Sequence, residues 1–274
     1  MKNNLSVLLL FFVLIACNNN ENIISEKTDT IVYLPQITAT EIDTIVYDTV
    51  TFPRLDELKS KMLTEGSFHN DEVWETAKKE NWLGLFYNSN EVYVDSTRIY
   101  VNSVFDEILD DEGGKKTGWE VTAKHIDTAI IFVQNTNISP KRNIEQIKLN
   151  KKYLFPEDSF DFEYNGIKYT LYAKGGKKKE DPNSDWYIVW NYKLYIKTST
   201  NGNIKETLLC AETNFDDQMI TIDFIGDIDG DNIPDLIINT SRHYNADCPT
   251  LYLSKPAKGK DIVKPVGYHL SIGC

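Results

Sequence analysis

The sequence predicts an α+β protein, predominantly antiparallel β, with a short helical segment near its N-terminal end. Three observations lead there. Tyr (15) and Phe (12) are abundant while Met (3) is scarce, a composition suited to pleated, half-buried surfaces. The stretch "FDFEYNGIKYTL", Phe160–Leu171, consists of two alternating runs joined by Asn-Gly. "RLDELKSKML", Arg54–Leu63, places Leu55, Leu58, Met62 and Leu63 on one face of a helix. At 274 residues and 41% hydrophobic content, the chain is long enough to bury one or two ordinary cores. A formal charge of -12 repels phosphate backbones, so nucleic acid is not an expected partner. The same charge suits a soluble surface exposed to divalent cations.

Residues 1–16 read as an export signal. Lys2 is followed by an apolar run, Leu5–Ala16, too short to span a bilayer as a stable helix. The ending "LIAC", Leu14–Cys17, resembles the lipobox of bacterial lipoprotein signals. That resemblance implies cleavage before Cys17 and acylation of Cys17, whose several chains give a stable membrane anchor where one is marginal. The other reading is an ordinary secretory signal in which Cys17 is incidental. "NNNEN", Asn18–Asn22, lacks the aspartate that retains some enteric lipoproteins at the inner membrane. It is similar to the tails of Bacteroidetes-type lipoproteins, which implies the outer membrane, on its periplasmic or its surface face. No later apolar run is long enough to cross a bilayer.

Residues 17–50 form the expected lipidated tether, with "DTIVY" occurring at Asp29–Tyr33 and again at Asp43–Tyr47. Two copies are too few for a solenoid; they could pair as strands, and an extended, partly disordered stalk is the expectation. The globular domain is expected over 51–274, opening with a helical preface at 51–81. Its first helix follows Pro53; its second starts at Asn70 as N-cap, with Asp71 and Glu72 in the first turn, and ends near Asn81.

From Trp82 onward the pattern is strand and turn. Taking Asn165-Gly166 as a type I′ turn pairs Tyr164 with Ile167, Phe162 with Tyr169, and Phe160 with Leu171 on one face. The other face then sets Glu163 opposite Lys168, so both faces agree on one register. "DWYIVWNYKLYIK" alternates as well, with Trp186, Ile188, Trp190, Tyr192 and Leu194 on one side. That stripe fits core packing, or a surface on which sugar rings stack. "GGKK" at Gly113 and "GGKKK" at Gly175 lack the Walker spacing and read as solvated hairpin ends.

"GDIDGDNIPDLII", Gly226–Ile238, crowds four aspartates into one turn. With Asp227 as position one, Asp229, Asp231 and Asp235 fall at positions three, five and nine, and the carbonyl of Ile233 at seven. Calcium takes about six to eight oxygens, which alternate side chains around a tight turn can supply; magnesium suits such a loop less well. Position twelve is Ile238 rather than a bidentate Glu, and the flank "DLIIN" reads as a strand, so the loop is not an EF-hand. It resembles the D-x-D-G-D-x-x-P-D-L loop of integrin-type FG-GAP and VCBS propeller repeats. The resemblance implies Ca²⁺ held by Asp227, Asp229, Asp231 and Asp235 over residues 227–235. Asn232 stands where the usual glycine is found, and asparagine tolerates the left-handed conformation needed there. The motif occurs once, so a full β-propeller is not expected. The loop reads instead as one calcium-clamped hairpin in another β-rich fold, the alternative being a solvated acidic turn without metal. Four carboxylates and a carbonyl nearly fill a coordination shell, so a structural role is expected for the ion rather than a catalytic one.

Of the remaining cysteines, Cys210, Cys248 and Cys274, a Cys248–Cys274 disulfide is the expected pairing in an exported protein. Its rival is a zinc site on the repeated H-x₄-C of His243, Cys248, His269 and Cys274, although zinc sites show tighter spacings. G-x-S-x-G and H-E-x-x-H are absent, and His69, His125, His243 and His269 are scattered. The expected protein is therefore a calcium-stabilised, lipid-anchored cell-envelope protein that binds a glycan or protein ligand without catalysis. The alternatives are a surface hydrolase supported by structural calcium and an inhibitor or immunity-type lipoprotein.

Overall fold

The computed structural model describes residues 45–89, 91–134, 137–200 and 202–273. Cys17, Cys274 and the first "DTIVY" lie outside them. One compact unit spans Ile45–Cys274. Its chain order falls into three groups of strands. The first holds β1 (Ser60–Leu63), β2 (Gly66–Phe68), β3 (Trp82–Tyr87), β4 (Val92–Thr97), β5 (Ile99–Val104), β6 (Gly118–Ala123), β7 (Thr128–Val133) and β8 (Arg142–Ile144). The second holds β9 (Ser159–Tyr164), β10 (Ile167–Lys179), β11 (Tyr187–Thr200) and β12 (Asn203–Asn214). The third holds β13 (Thr221–Gly226), β14 (Asp235–Asn239), β15 (Ala246–Asp247), β16 (Pro249–Leu253), β17 (Lys264–Tyr268) and β18 (Ser271–Ile272).

The first and third groups merge into one nine-stranded sheet, ordered β13-β14-β16-β17-β1-β7-β3-β4-β8. Its two end strands almost meet. Just past β8 the Ile147 amide donates to the Ile225 carbonyl on β13 at 2.9 Å. A Cβ on Gly226 would lie 2.7 Å from the Glu145 carbonyl, so only glycine admits that approach. The result is a barrel-like sheet that is nearly closed. The second group is a separate antiparallel meander, β12-β11-β10-β9, and β2-β6-β5 form a small third sheet.

Three cores follow from this arrangement. Met62, Leu85, Val94, Ile131, Phe224 and Leu251 fill the inside of the nine-stranded sheet. The meander packs Tyr169, Leu171, Tyr192 and Leu194 on the outer side of β13, β14 and β16, against Ile225, Leu236 and Tyr252. The third sheet packs Val101 and Val121 against Leu63, Trp82 and Phe132.

The fold is therefore mostly β, and the α+β expectation is overturned. Within the preface at 51–81, the helical turns are the 3-10 segments Leu55–Glu57, Asn70–Glu72 and Glu75–Lys79. Met62 and Leu63 belong to β1, which runs parallel to β17 on one side and antiparallel to β7 on the other. Adjacent residues of a strand point to opposite faces, and here each face meets a different core. Burial of both side chains outweighs a helical period that lasts only ten residues. The second predicted helix is replaced by two 3-10 turns. The first has His69 rather than Asn70 as N-cap, in a capping box closed by the Glu72 carboxylate on the His69 amide at 2.9 Å.

The Phe160–Leu171 hairpin has the expected register at every pair, and Asn165 and Gly166 both have positive φ (49° and 74°). The Trp186–Leu194 stripe is different. Asn191 adopts φ 52° in a bulge of β11, where Asn191 and Tyr192 face the single Gly175 of β10, and this shifts the alternation by one residue. Beyond the shift Tyr192, Leu194 and Ile196 are buried; before it Val189 is buried and Ile188 is 50% exposed. The Trp190 ring lies on Gly176, where a Cβ would come within 2.1 Å of it. "GGKK" at Gly113 is a turn between β5 and β6, whereas "GGKKK" at Gly175 lies inside β10 and is not a hairpin end. Residues 45–50, assigned to the tether, are fastened to the meander: the Asp48 amide donates to Asn191 at 2.6 Å, and Lys193 pairs with the Asp48 carboxylate at 2.6 Å.

A buried aspartate loop at the sheet junction

The 227–235 loop joins β13 to β14, with Gly226 opposite Asp235 at its base. Asp227, Asp229 and Asp235 are all buried, at 6%, 2% and 0% exposure. One carboxylate oxygen from each lies within 4.8 Å of the others, a group able to hold a metal ion. Among the described residues this is the one group of three or more His, Cys, Asp or Glu that converges in this way.

The loop folds around its own carboxylates. Asp227 accepts from the Gly230, Asp231 and Asn232 amides at 2.6, 3.1 and 3.1 Å. Asp235 accepts from Ile228 and Asp229 at 2.7 and 2.8 Å. Asn232 has φ 69°, the left-handed conformation its position was expected to need. Asp231 is not part of the converging triad; its Oδ1 accepts from the Ile233 amide at 2.9 Å and from Ser254 Oγ at 2.9 Å. Of the five predicted ligands the structure thus gathers three, with Asp231 and Ile233 beside them.

Neighbouring elements converge on the same loop. From the end of β16, the Ser254 amide donates to Asp235 at 2.7 Å and the Lys255 amide to Asp229 at 3.0 Å. From β8, Arg142 donates to the Ile228 carbonyl at 2.5 Å, with Nη1 3.8 Å from Asp227. From the meander, Asn165 donates to the Asn232 carbonyl at 3.1 Å. The loop therefore ties β8, β16 and the β9–β10 turn together where the two large sheets meet. Sequence reasoning missed Arg142, Ser254 and Lys255, which carry no local signature of their role.

Electrostatically the loop is short of positive charge. Burial, reinforced by neighbouring carboxylates, pushes Asp229 above the usual carboxylate range and Asp235 well above it. Asp229 Oδ1 is buried without a hydrogen-bond partner. A buried carboxylate oxygen with no donor is costly unless it takes a proton or faces a cation. The donor set, all carboxylate, fits a hard cation.

The other predicted sites behave differently. Cys210 and Cys248 are buried free thiols; Cys274, the expected partner of Cys248, is outside the described residues. His269 is buried, bonded through Nδ1 to Thr64 and through Nε2 to the Glu72 carbonyl at 3.2 Å, while His243 pairs with Asp216 at 3.0 Å. His69 meets the buried Asp106 at 2.6 Å. No protein-family profile, curated protein or solved structure matches the chain.

Proposed function

We propose that this protein is a lipid-anchored component of a bacterial cell envelope that binds a ligand without catalysis and is held in shape by Ca²⁺ at the 227–235 loop. One observation carries the metal: a buried triad of aspartates in which Asp229 Oδ1 has no donor. Asp227, Asp229 and Asp235 would hold the ion, with Asp231 able to swing in from Ser254. The role is structural because most oxygens of the triad already brace backbone amides, and the loop joins β8, β16 and the meander. Ca²⁺ is favoured over Mg²⁺ because an irregular, all-oxygen set suits the larger ion, whereas Mg²⁺ demands a near-ideal octahedron. The envelope location rests on the signal sequence and Cys17; loss of acyl labelling in Cys17→Ala checks it.

The decisive test is thermal unfolding of the purified protein, first treated with chelator, with and without Ca²⁺. Ca²⁺ at a hundredfold excess over its Kd should add about 2.7 kcal/mol to the unfolding free energy. Mg²⁺ should add less, and Asp229→Ala should not respond. A wild-type melting temperature that ignores Ca²⁺ ends the calcium reading.

A further inference from the structure

A cleft of about 690 Å³ opens where β1, β12 and β17 meet the loop running from Ser254 to Val263. Its volume lies within the range of small-molecule sites, roughly 300–1,000 Å³. Phe52, Leu58, Leu208 and Val266 supply an apolar wall, beside the polar Ser60 and Thr207. The rim is cationic. Lys59, Lys258 and Lys264 are exposed, and their ammonium groups have no ion-pair partner among the described residues. Arg54 on the same rim is paired with Glu57 at 3.3 Å, which leaves Asp261 as the other rim carboxylate.

Three lysines without an ion-pair partner around one cleft, against the single unpaired carboxylate of Asp261, stand out on a chain of net charge -12. On a chain of net negative charge, the rim supplies a local field of the opposite sign. The wall that carries Lys258 is also fixed in place. The Ile262 amide donates to the buried Thr207 hydroxyl at 2.7 Å, and the Ala257 amide closes a turn on the Ser254 carbonyl at 2.9 Å. At its far end the wall hangs from the aspartate loop through the Ser254 and Lys255 amides.

We propose that this cleft binds one anionic amphiphile, a hydrocarbon chain ending in a phosphate or carboxylate, with the chain on Leu58, Leu208 and Val266 and the head between Lys59, Lys258 and Lys264. The apolar walls select the chain, and the ammonium groups select the charged end. The inference rests on the non-catalytic binding role proposed above and names its ligand class.

The test is calorimetric titration of the full chain in Ca²⁺ with monomeric dodecyl phosphate, below its aggregation concentration. Dodecyl maltoside and inorganic phosphate are the comparators. Saturable one-to-one binding of dodecyl phosphate is expected, with each comparator weaker by about tenfold or more. Reversing the rim in Lys59→Glu/Lys258→Glu/Lys264→Glu should weaken dodecyl phosphate by about tenfold or more, since three attractions become repulsions. Leu208→Glu should abolish binding from the wall side. The rim residues are exposed, so the reversed protein should keep the melting temperature of the parent. Equal binding of dodecyl maltoside, undiminished binding by the reversed rim, or binding only to phosphatidylglycerol vesicles overturns the proposal. The calcium-induced thermal shift, read on the same samples, reports separately on the metal reading.

Discussion

Two acidic loops in this protein meet the same electrostatic problem in opposite ways. In the segment between β5 and β6, Asp106 is buried, yet its Oδ1 accepts from the Ile108 and Leu109 amides at 3.0 and 3.1 Å. Its Oδ2 meets His69 Nδ1 at 2.6 Å. Asp110, in the same segment, takes the Asp106 and Thr117 amides, both at 2.9 Å, and the Thr117 hydroxyl at 2.6 Å. The His69 bond draws Asp106 below the usual carboxylate range; for Asp110, burial pulls upward but the Thr117 hydroxyl and the two amides outweigh it. In the 227–235 loop, burial pushes Asp229 and Asp235 up, and one oxygen of Asp229 has no donor. Crowded aspartates alone therefore do not indicate a metal. What separates the loops is whether donors from the chain saturate the carboxylates.

That contrast can be broken experimentally. The largest effect is expected from Asp235→Ala, which strips the acceptor from the Ile228, Asp229 and Ser254 amides at once. A loss of about 3–5 kcal/mol should appear in denaturant unfolding with Ca²⁺ present. Asp106→Ala should lose less than that, since two amides rather than three lose their acceptor, together with the His69 imidazole. Its calcium-induced shift should match wild type, because that loop depends on chain donors; a diminished shift would show that the two loops are coupled.

The His69–Asp106 pair also has a pH signature. The Asp106 bond raises His69 above its ordinary 6.5, so this contribution is complete below pH 6.5 and is lost as pH rises through the raised value. The Asp106 contribution is present above its ordinary 3.8 and is lost as pH falls through its lowered value. The stability difference between wild type and His69→Gln should therefore be largest between these limits and shrink towards pH 8, as followed by melting temperature. Glu212 gives a third case, a buried carboxylate without a strong donor set. Burial raises it to about 7, with Arg242 opposing. Its ionisation opposes folding increasingly as pH rises from 4.5 through 7, so Glu212→Gln should gain stability at pH 8 and little at pH 5.

The hairpin at Phe160–Leu171 was legible because its turn residues and both faces specify one register. The left-handed position of Asn232 was legible for the same reason, that local chemistry left little choice. Strand β1 was not, since four apolar residues in ten satisfy a helical period as well as a doubly buried strand. The choice is made by β17 and β7, neither of which lies near it in the sequence. The shift at Asn191 was hidden because a bulge leaves no mark on composition. In the candidate site the aspartates were readable as a group. That Asp231 turns to Ser254, and that Arg142 leans on Asp227, depends on partners brought in by the fold. The lysines of the cleft come from separated stretches and form no motif.

The position of β1 also sets an order in time. It lies between β7 and β17, and Thr64 just beyond it bonds His269, 205 residues away. Until Lys264–Tyr268 has emerged, one edge of β1 has no neighbour and the nine-stranded sheet stays in two pieces. Assembly of that sheet therefore waits for a strand about 200 residues downstream of β1, and such long-range pairing is slow. A chain that lacks β17 would expose an open edge on β1 suited to pairing with another copy.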